Sequence, residues 1–333
     1  MKRMALVLAS LMATSAACMA AAAPSTYGVL QRYVLGGEGK WDYLTFDAGT
    51  NRLYIARGNR VMVMDTSSGK LVGEVPGAIG AHRVVLVAQQ HRGYVSNGHG
   101  NSVMPFDLAT LKPQPAIAIT GKGPDAMLFD EASGKLWTFN GHSNSASEID
   151  PVTQKEAGSV MLPGKPEFAV TDNHGHIYVN LEDTSKIAEI DAHAGKVIAS
   201  WSLTPCEGPT GLAIDVKHAR LFSACANQHL VVMDANDGHR VAVLPIGNDP
   251  DAAGYDARAG VVYSSNADGT LTVIRQDDAD HYAVIANVAT AKGARTLAVD
   301  EGTHHVYLAA PDVAEKGQGA SQASFGVLVV GAP

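Results

Sequence analysis

An aromatic residue set in a short β-prone run recurs seven times along the chain. It falls at Tyr54, Tyr94, Trp137, Tyr178, Phe222, Tyr263 and Tyr307, in steps of 40, 43, 41, 44, 41 and 44 residues. No other feature limits the fold as strongly. A supersecondary unit repeated at a period near 42 cannot bury its apolar face alone and must stack on its neighbours. The clearest copy is Lys135-Leu136-Trp137-Thr138-Phe139-Asn140, and the tyrosine copies include Tyr94-Val95-Ser96-Asn97 and Tyr263-Ser264-Ser265-Asn266. Before each copy comes an apolar strand that ends in aspartate, at Asp47, Asp130, Asp172, Asp215, Asp256 and Asp300, with Ala88 taking that place in the second repeat. Those aspartates read as Asx turns, in which the carboxylate accepts backbone N–H groups just ahead of it. After each copy comes a polar turn and a third strand such as Val61-Met62-Val63-Met64-Asp65. A glycine turn then leads to a fourth, such as Lys70-Leu71-Val72-Gly73-Glu74-Val75. Alternating and β-branched runs of this length, bounded by Gly, Asn and Asp, are strands.

Four strands per repeat make one propeller blade, and seven aromatic strands make seven blades. The expected fold is all-β: a single seven-bladed β-propeller over residues 23–333. Its blades begin near Trp41, His82, Pro124, Pro166, Pro209, Pro250 and Ala294. The last blade runs out of chain after Val327–Val330, while Val29–Leu35 belongs to no repeat. The N-terminal strand is therefore expected to complete blade seven and to close the ring, which leaves no open edge between first and last blades. Pro311 to Ser324, rich in Gly, Ala, Gln and Ser, breaks the period and reads as a mobile loop.

Residues 1–22 read as an export signal. Lys2 and Arg3 give the charged start, Met4–Thr14 a short apolar run, and Ala20-Ala21-Ala22 a small-residue cleavage site. The apolar run is too short to span a bilayer. A lipoprotein reading competes because Ser15-Ala16-Ala17 precedes Cys18, although Ser15 stands where leucine is usual. A periplasmic or secreted monomer is the expectation. Loss of Lys2 and Arg3 takes the net charge from −8 to −10. Such a chain lacks the basic footprint of a general nucleic-acid binder and suits anionic membranes poorly. Two cysteines remain, Cys206 and Cys225. An even pair in an oxidising compartment suggests a disulfide, against two buried thiols. A hairpin turning through Val216–Ala219 would bring both to one face and pin the loop that presents Thr210.

The first strand of every blade lines the central channel. The residue five before each strand-ending position should lie at one mouth, which gives Asp42, Arg83, Asp125, Glu167, Thr210, Asp251 and Arg295, with His82 one place earlier. Converging like charges raise carboxylate pKa values or recruit a cation, while the arginines offer bidentate contacts to an anion. The bland alternative is a solvated rim of internal ion pairs. Asp42, Asp125, Glu167 and Asp251 are oxygen ligands suited to Ca²⁺ or Mg²⁺. His82, with His99 and His142 of the two Asn-Gly-His turns, could instead meet around zinc or copper. No G-x-S-x-G, H-E-x-x-H, phosphate-binding Gly-Lys-Ser/Thr loop or C-x-x-C-H is present.

Tyr94-Val95-Ser96-Asn97 resembles the tetrapeptide that names the YVTN β-propeller repeat family. The chain after the signal resembles its YncE-like branch at Trp41-Asp42-Tyr43-Leu44, Gly164–Val170, Asn180-Leu181-Glu182-Asp183, Gly208–Asp215 and Gly293-Ala294-Arg295-Thr296. The resemblance implies an exported seven-bladed propeller with no settled chemistry, and single-stranded DNA binding is associated with part of the family. Three functions stand side by side. The first is non-catalytic binding of a small molecule or protein partner at the charged mouth. The second is metal-assisted hydrolysis, as by a lactonase, with a divalent cation as cofactor. The third, by resemblance only, is nucleic-acid binding.

Overall fold

The computed structural model describes residues 27–313 and 324–333, so the expected export segment 1–22 and residues 314–323 lie outside it. The described residues form strands and two short 3₁₀ turns, Ala88–Gln90 and Gly98–Gly100, with no α-helix among them. No helix among them is long and apolar enough to cross a membrane.

Five antiparallel sheets have four strands and one has seven. The large sheet is two repeats joined by a single strand of 17 residues, Leu71–Val87. Its first half pairs with Gly58–Asp65 and its second half with Arg92–Asn97. Divided there, the chain makes four-stranded units, numbered one to seven below in chain order. Gly28–Val34 pairs antiparallel with Ser324–Gly331, from Gly28 opposite Gly331 to Val34 opposite Gly326, and is the outer strand of unit seven. Inner strands of successive units touch in chain order, and that of unit seven, Thr296–Asp300, touches that of unit one, Leu44–Asp47.

The repeating aromatics pack these units together. Tyr54, Tyr94, Trp137, Phe222 and Tyr263 are at most 1% exposed, and full burial of such a side chain is worth about 2–3 kcal/mol. Two also carry a polar handle into the next unit. Tyr94 Oη donates to the Pro151 carbonyl at 3.3 Å and Tyr178 Oη to that of Ala235 at 3.2 Å. The strand-ending aspartates make the expected turns: Asp130 accepts from Ser133 N at 2.8 Å, Asp172 from His174 N at 2.7 Å, and Asp300 from Gly302 N at 2.8 Å.

Two expectations need correction. The irregular stretch after Pro311 starts later than its composition suggests, because Pro311–Val313 continue the strand His305–Val313 and Val313 pairs with Ser324. In unit two the strand ends at Val87, opposite Arg92, where unit three has Asp130 opposite Lys135. Ala88 already belongs to the 3₁₀ turn. The register counted from Ala88 is therefore one residue late.

Candidate functional site

The second strands and the inner strands together build one end of the channel. In units two to six the inner strand carries a bulge at its start. Pairing skips from Ala81–Asn97 to Val84–Val95, from Pro124–Asn140 to Met127–Thr138, and likewise after Pro166, Pro209 and Pro250. A bulge turns a side chain out of the pleat and leaves ladder groups unpaired. Polar side chains take the freed carbonyls across the unit boundary. Ser96 Oγ donates to Asp125 O at 2.6 Å, Asn180 Nδ2 to Thr210 O at 2.9 Å, and Ser265 Oγ to Arg295 O at 2.5 Å. The polar end of the Tyr-Val-Ser-Asn run thus fixes where the next unit presents its channel residue.

A second set of contacts clasps the loop before the inner strand in units one, two, three, five and six. In unit two Asn97 Oδ1 accepts from Ile79 N at 3.2 Å. In units three and six Asn140 and Asn266 lie so close to Gly121 and Gly247 that a side chain on either glycine would overlap them. Unit one replaces the asparagine with Arg57, whose guanidinium donates to the carbonyls of Gly37, Glu38 and Gly39 at 2.7, 3.1 and 2.7 Å. Unit five replaces it with Cys225, which forms a disulfide with Cys206 at a Cα–Cα distance of 5.4 Å.

These devices bring seven positions to the channel mouth: Asp42, His82, Asp125, Glu167, Thr210, Asp251 and Arg295. His82, not Arg83, is the member from unit two, because the pairing of Ala81 with Asn97 matches that of Pro124 with Asn140. Arg83 lies one layer deeper, in the place that Tyr43, Phe168 and Thr296 hold in their units. Its guanidinium sits 5.2 Å from the Tyr43 ring and 5.6 Å from the Phe168 ring. Thr210 holds the equivalent position in its unit but turns its hydroxyl to the Pro250 carbonyl at 2.8 Å.

The remaining members interact. His82 Nδ1 is 2.5 Å from Asp42 Oδ2 and 3.4 Å from Asp125 Oδ1. Arg295 Nε is 3.2 Å from Asp251 Oδ2. Lys165, which sequence reasoning passed over, lies 3.8 Å from Glu167 and pairs closely with Glu182. Between the rim and the aromatic layer is a cavity of 170 Å³, walled by Asp42, Asp125, Glu167, Asp251 and Arg295 and by Tyr43, Phe168, Ala252 and Thr296. A larger groove of 690 Å³ runs outside, between Val29–Val34 and Ser68–Lys70, but Arg32 and Lys70 are its only charged residues. The smaller cavity holds the chemistry.

Burial and crowding distort the titration of this cavity. Burial first, then Asp42, raises Asp125 to about 7 against the pull of His82. Glu167 is raised to about 8 by burial, then by Asp125 and Glu182. Burial raises Asp251 to about 6 although Arg295 opposes it. Burial works against a charged His82, but the hydrogen bond to Asp42 and the charge of Asp125 outweigh it and raise the imidazole to about 9. Near neutral pH the mouth therefore stores protons on its acids, and a cation of the right shape can displace them.

Metal ligation is restricted by the same geometry. Among the described residues only Asp42–His82–Asp125 and Asp234–Asp237–His239 bring three ligand atoms within 4.8 Å of one another. His82, His99 and His142 do not form such a group. The ring of His99 packs against Gly80 and that of His142 against Gly123. Nor do all four acids converge as one set of oxygen ligands, since Glu167 and Asp251 stand outside the first trio.

No family model matches the sequence, and no curated protein matches it. Solved structures do resemble the fold. Kuenenia stuttgartiensis hydrazine synthase matches with a TM-score of 0.74 at 14% identity over 85% of this chain and 97% of that one. The structure of U3-55K matches with a TM-score of 0.75 at 7% identity, over 90% and 98%. The WD40 repeats of RRP9 match with a TM-score of 0.75 at 7% identity, over 93% and 98%. At these identities the likeness speaks for architecture alone, and that architecture is all-β and of the propeller type.

Proposed function

We propose that this chain is an exported seven-bladed propeller, closed by its N-terminal strand, whose acidic channel mouth binds a positively charged ligand without transforming it. The observation that carries the reading is the convergence of Asp42, Asp125, Glu167 and Asp251 on one 170 Å³ cavity. Each side chain there is 20–28% exposed. Four acids in so small a space are unfavourable unless protons, His82, Arg295 or a bound cation compensate them. The disulfide fits an oxidising compartment and so supports export. An acidic mouth repels phosphate, which sets this reading against single-stranded DNA binding.

Titration calorimetry at pH 8 with a panel of inorganic and organic cations tests the proposal, with Asp251→Asn as the control. Binding that is stoichiometric and weakened in the variant is the expected result; silence across the panel overturns it. A metal-assisted hydrolase is the second reading, favoured by the closeness of Asp42, His82 and Asp125. Co-purifying zinc or calcium, with chelator-sensitive lactone turnover, would establish it.

A further inference from the structure

Two residues that line the cavity each hold a buried polar atom without a hydrogen bond. Thr296 is only 3% exposed, lines the cavity, and its Oγ1 has no hydrogen-bond partner. Asp125 Oδ1 is likewise buried and makes no hydrogen bond, its nearest charged neighbour being His82 Nδ1 at 3.4 Å. Native proteins seldom leave buried polar atoms orphaned, and these two belong to residues that line one cavity.

Resting on the cationic reading above, we infer that this partner is a small organic cation, an amine or guanidinium compound with hydrogen-bonding ends, rather than a bare divalent metal ion. Two oxygens in one Ca²⁺ shell lie within about 5 Å of each other, since each bond is 2.3–2.6 Å long. Only Asp42, His82 and Asp125 meet that limit at the mouth. Within the trio both His82 ring nitrogens are hemmed in. Its Nδ1 is engaged with Asp42 at 2.5 Å, and its Nε2 lies so near Gly98 that a Cβ there would be 2.5 Å away. An ion in the trio would also leave Glu167 and Asp251 outside its shell, with only Lys165 at 3.8 Å and Arg295 at 3.2 Å facing them.

Size and lining point the same way. The cavity of 170 Å³ equals the liquid share of about five or six waters. A bare ion would fill little of it. A short carbon frame with an N–H-rich end fills more: its charged end reaches Asp125 Oδ1 and Glu167, its methylenes lie on Phe168 and Ala252, and a second polar end meets Thr296. The protein already shows that this lining accepts such a group, because the Arg83 guanidinium lies against Tyr43 and Phe168 just beneath.

The test compares 1,4-diaminobutane, agmatine, Ca²⁺, Mg²⁺, Mn²⁺ and Zn²⁺ by calorimetry on the whole exported chain. Thr296→Val and Asp125→Asn are the variants, and their thermal midpoints serve as the folding check. Binding of either amine, weakened about tenfold or more by both substitutions, is expected. Should Asp125→Asn not fold, Thr296→Val decides alone, since it removes one hydroxyl at constant shape. Amine binding unaffected by Thr296→Val overturns the inference. Binding of metals and not amines overturns it too, while leaving the cationic reading in place. If neither class binds, both fail.

Discussion

Replacing Glu167 by glutamine should make the protein more stable while impairing the site. In the fold Glu167 titrates at about 8 against 4.5 for a free glutamate. The folded state therefore holds that proton more tightly than the unfolded chain. The stability it contributes is complete below pH 4.5 and is lost as the pH climbs towards 8. Each pKa unit corresponds to about 1.4 kcal/mol, so the native carboxyl sacrifices about 4 kcal/mol at pH 8 and about 1 kcal/mol at pH 5. Glutamine is neutral at both values and regains those amounts. With the side chain 20% exposed, water at the mouth screens the charges, and about 2 kcal/mol at pH 8 is the figure to look for. For a chain of this length that is a rise of about 4 °C in Tm. The assay is calorimetric melting of both proteins at pH 5, 6.5 and 8, with cation binding measured on the same samples. A gain at pH 8 that shrinks at pH 5, joined to loss of binding, is the signature of a charge kept for function. A lower Tm at pH 8, or a gain independent of pH, would refute the argument that Glu167 is crowded.

Other outcomes follow from the same geometry. Cation affinity should rise between pH 6 and 8.5 as Asp251, Asp125 and Glu167 lose protons, with Asp42, His82, Arg83, Lys165, Glu182 and Arg295 also facing the site. Each displaced proton adds up to about tenfold per pH unit, and titrations in buffers of different ionisation heat count those protons. Thr210→Val should leave affinity unchanged and lower stability by about 1 kcal/mol, because its hydroxyl serves the Pro250 carbonyl; melting and titration together check this. The double variant Cys206→Ser, Cys225→Ser should lose about 3 kcal/mol, or about 6 °C, in thermal denaturation. Cys206→Gly with Cys225→Asn should melt above that serine pair, because it recreates the clasp of units three and six.

How much of this was legible beforehand depended on what each repeat offered to count from. Six repeats end their first strand in aspartate, and counting back from it names Asp42, Asp125, Glu167, Asp251 and Arg295, which wall one cavity, and Thr210, which does not line it. Unit two ends in Val87 and passes into a 3₁₀ turn, with no Asx side chain to mark the boundary. Counting from Ala88 therefore singled out Arg83, while His82 was noticed only as its neighbour. The second layer of Tyr43, Phe168 and Thr296 lies in stretches that match by resemblance but share no residue type; at Phe168 it follows the bulge after Pro166, a property of two paired strands that one strand's sequence does not declare. Lys165 and Glu182 come from loops of unit four that meet only once the hairpin has formed. The cysteine pair was readable because hairpin register is simple arithmetic, yet its equivalence to the asparagine clasp needed the other units in view.

The pairing of Gly28–Val34 with Ser324–Gly331 has a consequence in time. The first described strand and the last one lie about 300 residues apart, so the most local-looking sheet of the molecule joins its most distant parts. Loop-closure entropy must be met in full before that sheet yields anything. Units one to six each pair strands that are near in sequence, but unit seven stays a strand short until Gly28–Val34 and Ser324–Gly331 meet. Until the two strands meet, one edge of Ser324–Gly331 stays unpaired and open to another chain; afterwards Gly28–Val34 covers it.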